Sequence, residues 1–156
     1  MVPANSDLAP DFRDCIQCLN DHGVAFVLVG AYAVGWHGVI RATGDIDFLY
    51  KPSQDNVARL CAALRDFGAP EALIDPVFLA SPNAVTQMGV PPIRIDLLAS
   101  ITGVSFDAVR DGAETVELAG LRLLVMGLRE LRINKRAAGR AKDRDDLRRL
   151  RAVKRN

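Results

Sequence analysis

Apolar residues recur along the chain in two patterns, one with helical spacing and one in short continuous runs. Helical spacing, which gathers apolar side chains on one face, predicts helices over residues 11–22, 54–67, 126–138 and 142–152. Short runs rich in branched apolar residues predict buried strands over residues 24–29, 45–50 and 93–98. Because helices and strands alternate, we expect an α/β fold in which helices flank a small mixed sheet.

Weaker signals fill the rest of the chain. Glycines bound a short helix expected over residues 31–37, and one helical turn is expected at 106–110. Two apolar runs meet across Ala119-Gly120 and predict a hairpin formed by residues 115–118 and 121–125. In the stretch 71–91 the pattern is weakest, and it predicts short strands at 76–79 and 85–88.

The composition indicates one globular domain with an uneven distribution of charge. Of the 156 residues, 49% are apolar and 25% are charged, so we expect a single domain over 1–156 with a loose leader at 1–9. The net charge is only +1, yet residues 129–156 hold twelve Lys/Arg and four acidic residues. This basic helical segment, placed at 127–156, favours an anionic partner, although a solvated helix face explains its last ten residues equally well.

Cysteine usage and hydropathy bear on the compartment. Cys15 and Cys18 have the spacing of a ligand pair, but no second pair of soft ligands accompanies them, so we expect core packing and not zinc. Unpaired cysteines fit a reducing compartment. The chain shows neither a secretory signal pattern nor an apolar run as long as a membrane span. These features predict a cytoplasmic protein without a membrane partner.

The tripeptide Asp45-Ile46-Asp47 is the most informative short motif in the sequence. In a strand, the side chains of residues i and i+2 share a face, so these two carboxylates point the same way with their Cα atoms about 7 Å apart. Two like charges this close repel each other unless a cation neutralises them. A hard cation with oxygen ligands, such as Mg²⁺, suits such a pair because Mg²⁺ takes few carboxylates together with phosphates.

Asp96 is a second unusual carboxylate, because it interrupts a strand that otherwise has buried character. A carboxylate in such a place needs a partner, either a metal or a basic side chain. If its strand lies beside that of Asp45, Asp96 completes a site with three carboxylates. The structural alternative is a salt bridge from Asp96 to Arg41 or Arg94.

The spacing of these residues resembles the signature of the DNA polymerase beta-like nucleotidyltransferase superfamily. The matching segments are Val29-Gly30-Ala31, Trp36-His37-Gly38 and Arg41-Ala42-Thr43-Gly44-Asp45-Ile46-Asp47, with Asp96 as the later third Asp. The last of these segments resembles the branch that holds abortive-infection toxins and uncharacterised relatives, and so does the C-terminal run Lys135-Arg136-Ala137-Ala138-Gly139-Arg140-Ala141-Lys142-Asp143. In that branch a further Asp follows, here Asp145 or Asp146.

The resemblance implies a metal-dependent transfer of a nucleoside monophosphate from an NTP, such as ATP, to a hydroxyl on protein, RNA or a small molecule. Asp45 and Asp47 would hold two Mg²⁺ ions, with Mn²⁺ as the alternative, and Asp96 would share the second metal and help to deprotonate the hydroxyl. Lys135 and Lys142 would balance phosphate charge. A toxin role would add an antitoxin partner.

Other residues of the motif have less certain roles. Gly30 and Ala31 would offer backbone N–H groups to phosphate, although the family has Gly or Ser where this chain has Ala31, so a hydroxyl is missing. For Arg41 both phosphate contact and bracing of an Asp are open, and bracing is favoured. Trp36 is expected in the core, and His37 is expected to pack against or cap the short helix.

Three function classes therefore remain open from the sequence. The first is the nucleotidyltransferase, and the second is a catalytically weak relative that binds nucleotide or a partner protein, which Ala31 favours. The third is a nucleic-acid-binding module that uses the basic C-terminal helices. The last predicts aromatic side chains among the basic residues, and the sequence has none from Arg129 onward. A glycosyltransferase, which also uses an Asp-x-Asp motif, is disfavoured because its fold needs a longer chain.

Overall fold

The computed structural model describes residues 8–153. Its helices are α1 (Pro10–Asp21), α2 (Gly30–Trp36), α3 (Gln54–Phe67), α4 (Pro76–Leu79), α5 (Phe106–Asp111), α6 (Leu128–Ala138) and α7 (Ala141–Ala152), with a 3₁₀ turn at Glu71–Leu73. Its strands are β1 (Phe26–Val29), β2 (Asp45–Tyr50), β3 (Val85–Met88), β4 (Arg94–Leu98), β5 (Glu114–Leu118) and β6 (Leu121–Val125). The expected mixed α/β fold is confirmed.

The six strands form one mixed sheet in the order β3-β4-β2-β1-β6-β5. The three strands predicted most strongly, β1, β2 and β4, are neighbours in its middle. β2 is parallel to β4 and antiparallel to β1. At one edge of the sheet β3 pairs antiparallel with β4, and at the other edge β5 pairs antiparallel with β6. The sheet therefore places the strand with Asp45 directly beside the strand with Asp96.

The two faces of β2 have different environments because side chains alternate along a strand. Ile46, Phe48 and Tyr50 point to one face and are almost fully buried. Phe48 there packs edge to face against Phe26 of β1, with 5.5 Å between ring centroids. Asp45 and Asp47 point to the opposite face. Burial of the first face anchors the strand, so the two carboxylates are held on a rigid element.

The C-terminal helices α6 and α7 pack against each other and are joined by a tight turn. Gly139 ends α6 in the left-handed conformation, at φ 64°, which costs glycine little. Arg140 precedes α7, and its backbone N–H and side chain both bond to Asp143 of the first turn. These two bonds, both donated by Arg140 to the Asp143 carboxylate, fix the angle at which α7 leaves α6.

Several local predictions differ from the structure. Residues 76–79 form helix α4 and not a strand, because the Asp75 carboxylate accepts bonds from the N–H groups of Val77 and Phe78. Trp36 is 38% exposed and outside the core, and its indole N–H donates to Glu114 at 2.9 Å. Residues 1–7 of the predicted leader lie outside the described residues, whereas Leu8 packs in the core.

The cysteines and His37 lie where the sequence predicts them. Cys15 is fully buried, Cys18 packs against the core from a half-buried position, and both are free thiols. His37 caps α2 and bonds through Nε2 to the carbonyl of Met126 at 2.8 Å. Within residues 8–153, the structure contains no helix with the length and apolar character to cross a membrane.

Candidate active site

Three carboxylates converge on one face of the sheet. Asp47 of β2 and Asp96 of β4 are register partners on parallel strands. Asp45 lies two residues before Asp47 and so points to the same face of the sheet. One oxygen from each of the three side chains lies within 4.8 Å of the other two. The structure thus brings together the three acidic residues that the sequence singled out.

This cluster has the chemistry of a site for a divalent cation. Burial first, and then the charges of Asp45 and Asp96 and a hydrogen bond with Asp96, raise the pKa of Asp47 to about 7, while Lys142 opposes the shift. Asp96 itself is only 6% exposed. A cation with oxygen ligands would relieve the repulsion that raises this pKa, so the donor set fits a divalent metal.

Arg94 provides positive charge to this cluster in the structure. Its Nη2 donates to Asp45 Oδ2 at 2.6 Å and to Asp96 Oδ2 at 3.1 Å, and its Nε donates to Asp96 Oδ1 at 2.9 Å. The salt bridge considered for Asp96 therefore exists, with Arg94 and not with Arg41. Arg94 therefore binds two of the three carboxylates that would hold a metal.

Gly30 forms the wall of the site next to Asp47. Val29 of β1 pairs with Asp47, and Gly30 follows at φ +70°, where α2 begins. A Cβ on Gly30 would overlap a carboxylate oxygen of Asp47. Glycine is thus required at this position for two reasons, the left-handed backbone conformation and the close approach of the Asp47 side chain. Ala31, the next residue, lines the same cavity.

A second charged cluster lies on α6 and α7 and is almost entirely buried. Lys135 of α6 is 4% exposed, and its Nζ lies 3.2 Å from Asp143 Oδ1 and 3.1 Å from Asp146 Oδ2. Both aspartates are 0% exposed. Of the two candidates for the further Asp of the C-terminal motif, Asp146 lies in this buried cluster, whereas Asp145 pairs with surface arginines of its own helix.

The buried aspartates also bind two arginines at the edge of the site. Arg140 Nε lies 2.7 Å from Asp143 Oδ2, and Arg41 Nη2 lies 3.4 Å from Asp146 Oδ2. Burial alone would raise the pKa of Asp143, but hydrogen bonds from Arg140 and Lys135 outweigh it and hold that pKa below its ordinary value. Asp143 and Asp146 thus position basic side chains, and Arg41 braces an aspartate as favoured from the sequence.

The three carboxylates of the sheet and the basic residues of the second cluster, Arg41, Lys135 and Arg140, line one open cavity of about 760 Å³. Its walls include all the residues predicted to form the site, namely Gly30, Ala31, Arg41, Asp45, Asp47, Asp96, Lys135 and Lys142, together with Arg94 and Arg140. A cavity of this size accommodates a nucleotide. The acidic residues lie on the side of the sheet, where Arg94 pairs with two of them, and Lys135, Arg140 and Lys142 lie on the side of α6 and α7.

The basic residues differ in how free their charge is. Lys135 is satisfied by two buried carboxylates, so its charge is committed to the protein. Lys142 is exposed at the first turn of α7 and lines the cavity. Arg140 was not singled out from the sequence, although its position in the Lys-x₄-Arg-x-Lys-Asp run was the available signal.

Comparison with known proteins agrees with the fold. Residues 9–156 match a family described as nucleotidyl transferase of unknown function (DUF2204). Among solved structures, the chain is similar to a candidate nucleotidyltransferase from Thermotoga maritima, with 16% identity, a TM-score of 0.53 and 88% of each chain covered. At that identity the likeness concerns the fold alone. Among curated proteins, none matches the chain. Because the family match extends over nearly the whole chain, the protein belongs to this nucleotidyl transferase family.

Proposed function

We propose that the protein is a metal-dependent nucleotidyltransferase, which moves a nucleoside monophosphate from an NTP to a hydroxyl acceptor. The observation that carries the proposal is the convergence of Asp45, Asp47 and Asp96 within 4.8 Å inside a cavity of about 760 Å³. Family membership supports the same reaction class. The acceptor, on a protein, an RNA or a small molecule, belongs to the proposal.

The three carboxylates would hold the divalent metal, for which Mg²⁺ is the first choice and Mn²⁺ the second. When bound, such ions supply Lewis-acid stabilisation of the charge on the triphosphate and of the attacking oxygen. A carboxylate oxygen of Asp96 takes the proton of the acceptor hydroxyl. A bond forms between the acceptor oxygen and the α-phosphorus, and the bond to the departing pyrophosphate breaks.

The opposite wall of the cavity is suited to the phosphates. Lys142 is exposed on this wall, and Arg41 and Arg140 stand on buried aspartates that fix their positions. The N–H groups of Gly30 and Ala31 open α2 next to Asp47 and add donors for a phosphate oxygen. A triphosphate with its metal would therefore lie between an acidic and a basic wall.

Two expectations from the sequence go beyond the family and its reaction class. Membership of the abortive-infection branch, with an antitoxin partner, rests on the sequence motifs alone. The alternative of a catalytically weak relative that binds nucleotide or a partner protein rests on Ala31, which offers no hydroxyl at the phosphate turn. Binding of nucleic acid by the basic helices is less favoured, because Lys135 already pairs with two buried aspartates and the sequence has no aromatic residue from Arg129 onward.

The test is labelling of acceptors by the purified protein. Each α-labelled NTP is incubated with Mg²⁺, the protein and a cell lysate, and the labelled molecules are separated. The wild type should transfer label from at least one NTP, and Asp47→Asn should lose it by orders of magnitude. Asp14→Asn, an exposed change on α1, is the matched control. Equal labelling by wild type and Asp47→Asn would contradict the proposed function.

A further inference from the structure

Arg94 makes the closest ion pairs in the carboxylate cluster. Its guanidinium spans Asp45 and Asp96 through three hydrogen bonds of 2.6 to 3.1 Å. The side chain is 27% exposed, and that of Asp96 is only 8% exposed. Arginine keeps its proton at any working pH, so this charge can leave the cluster only if the whole side chain moves.

The sheet explains why Arg94 reaches both carboxylates. Arg94 and Asp45 are register partners on parallel strands, and Asp96 follows Arg94 on the same face two residues later. The guanidinium thus binds the side chains that would ligate a metal. A metal ion on the Asp45 oxygen that Arg94 contacts at 2.6 Å would lie next to the guanidinium, and because two adjacent cations repel each other, the metal and Arg94 compete for Asp45.

We propose that Arg94 is a displaceable counter-ion that couples metal binding to triphosphate binding. Before the metal binds, Arg94 holds Asp45 and Asp96 together against their mutual repulsion. The metal must displace the guanidinium from Asp45, and the freed fork then binds phosphate oxygens of the NTP. This inference rests on the proposed function, since it assumes that the carboxylates hold a metal and the cavity holds a triphosphate.

The chemistry of the groups supports both halves of this exchange. The fork of an arginine matches the oxygens of a phosphate as well as those of a carboxylate, so the guanidinium keeps an anionic partner throughout. Arg94 lines the same cavity as Lys142 and Arg140, where the phosphates are expected. Because Arg94 competes for Asp45, the apparent metal affinity is the intrinsic affinity multiplied by the fraction of molecules in which the carboxylates are free of Arg94.

The test is a pair of binding measurements on Arg94→Gln, which keeps polarity and removes the charge. Without nucleotide, Mn²⁺ titrated by electron paramagnetic resonance should bind about tenfold more tightly to the variant than to the wild type. At saturating Mn²⁺, a non-hydrolysable NTP measured by calorimetry should bind about tenfold more weakly to the variant. A merely structural arginine would not move these two affinities in opposite directions.

Two further variants complete the design. Arg94→Lys retains a charge but cannot span both carboxylates as a fork, so it should fold like the wild type and bind Mn²⁺ with intermediate affinity. Arg59→Gln, an exposed change on α3, should bind like the wild type. Unchanged or weaker Mn²⁺ binding in both Arg94 variants, or unchanged nucleotide binding, overturns the inference alone. Failure of every protein to bind Mn²⁺ overturns the proposed function with it.

Discussion

Asp47 and Asp96 are direct neighbours across two parallel strands, and an oxygen of one carboxyl lies within 4.8 Å of an oxygen of the other. Burial first, and then the charges of Asp45 and Asp96, disfavour the ionised form of Asp47. These effects raise the pKa of Asp47 to about 7. Without metal, the site is therefore a source of pH-dependent instability, and this gives the first prediction.

Metal-free protein should become more stable as the pH falls from 8 to 5. Asp47 has a pKa of about 7 in the folded chain against about 3.9 in an unfolded one, so the folded state binds the proton more tightly. The stability that this proton contributes is fully present below the unfolded pKa of about 3.9, and it is lost as the pH rises through about 7. The expected gain between pH 8 and pH 5 is about 3 kcal/mol, measured by urea unfolding in chelator.

Asp47→Asn is the variant that isolates this gain. Its amide cannot ionise, so the difference in unfolding free energy between variant and wild type should change with pH by the same amount. At pH 8 the variant should be as stable as the wild type or more stable. A variant that is clearly less stable at pH 8 would show that Asp47 serves as an ordinary salt-bridging charge.

Gly30→Ala should be more destabilising than its backbone conformation alone explains. Gly23→Ala, at a similar φ of +65° with nothing within 4 Å of the added Cβ, should cost about 1–2 kcal/mol. Gly30→Ala adds the overlap with Asp47 and should cost at least about 1 kcal/mol more. Denaturant unfolding of both variants measures the difference, and equal costs would mean that Asp47 moves aside freely.

Asp146→Asn should be strongly destabilising, whereas Asp145→Asn should not. Asp146 is fully buried and lies against Lys135 and Arg41, and removal of its charge leaves those cations less compensated. We expect a loss of about 3 kcal/mol, because Asp143 remains as a partner of Lys135. Asp145 pairs only at the surface, so its change should stay within about 0.5 kcal/mol. Thermal unfolding of the two variants at equal pH distinguishes these positions.

Lys142→Gln should weaken nucleotide binding without a change in stability. The residue is exposed at the start of α7 and lines the cavity, so its charge is available to a phosphate. We expect about tenfold weaker binding of the preferred NTP with Mg²⁺ by calorimetry, and an unfolding free energy within about 0.5 kcal/mol of the wild type. Arg148→Gln, exposed on the same helix, serves as the control. If both variants bind alike, the phosphates do not reach Lys142.

Local sequence determined much of the fold and the acidic part of the site. The period of two in Asp45-Ile46-Asp47 placed both carboxylates on one face, because alternation is a property of any strand. Helix α3 begins and ends where Ser53 and Gly68 predict, since these residues favour the ends of helices. At 76–79 the same kind of argument failed, because an apolar run of four does not distinguish a strand from a helix capped by Asp75.

Only the tertiary structure decided which charges meet. Asp47 lies beside Asp96 because β2 and β4 pair without stagger, and nothing within either strand fixes that register. Lys135, expected at the phosphates, instead binds Asp143 and Asp146 because the turn at Gly139 folds α7 back onto α6. The sequence sets which face a side chain occupies, through the local period of the backbone. Its partner across the chain depends on how separate elements pack, and that is where the free energy of a buried charge is determined.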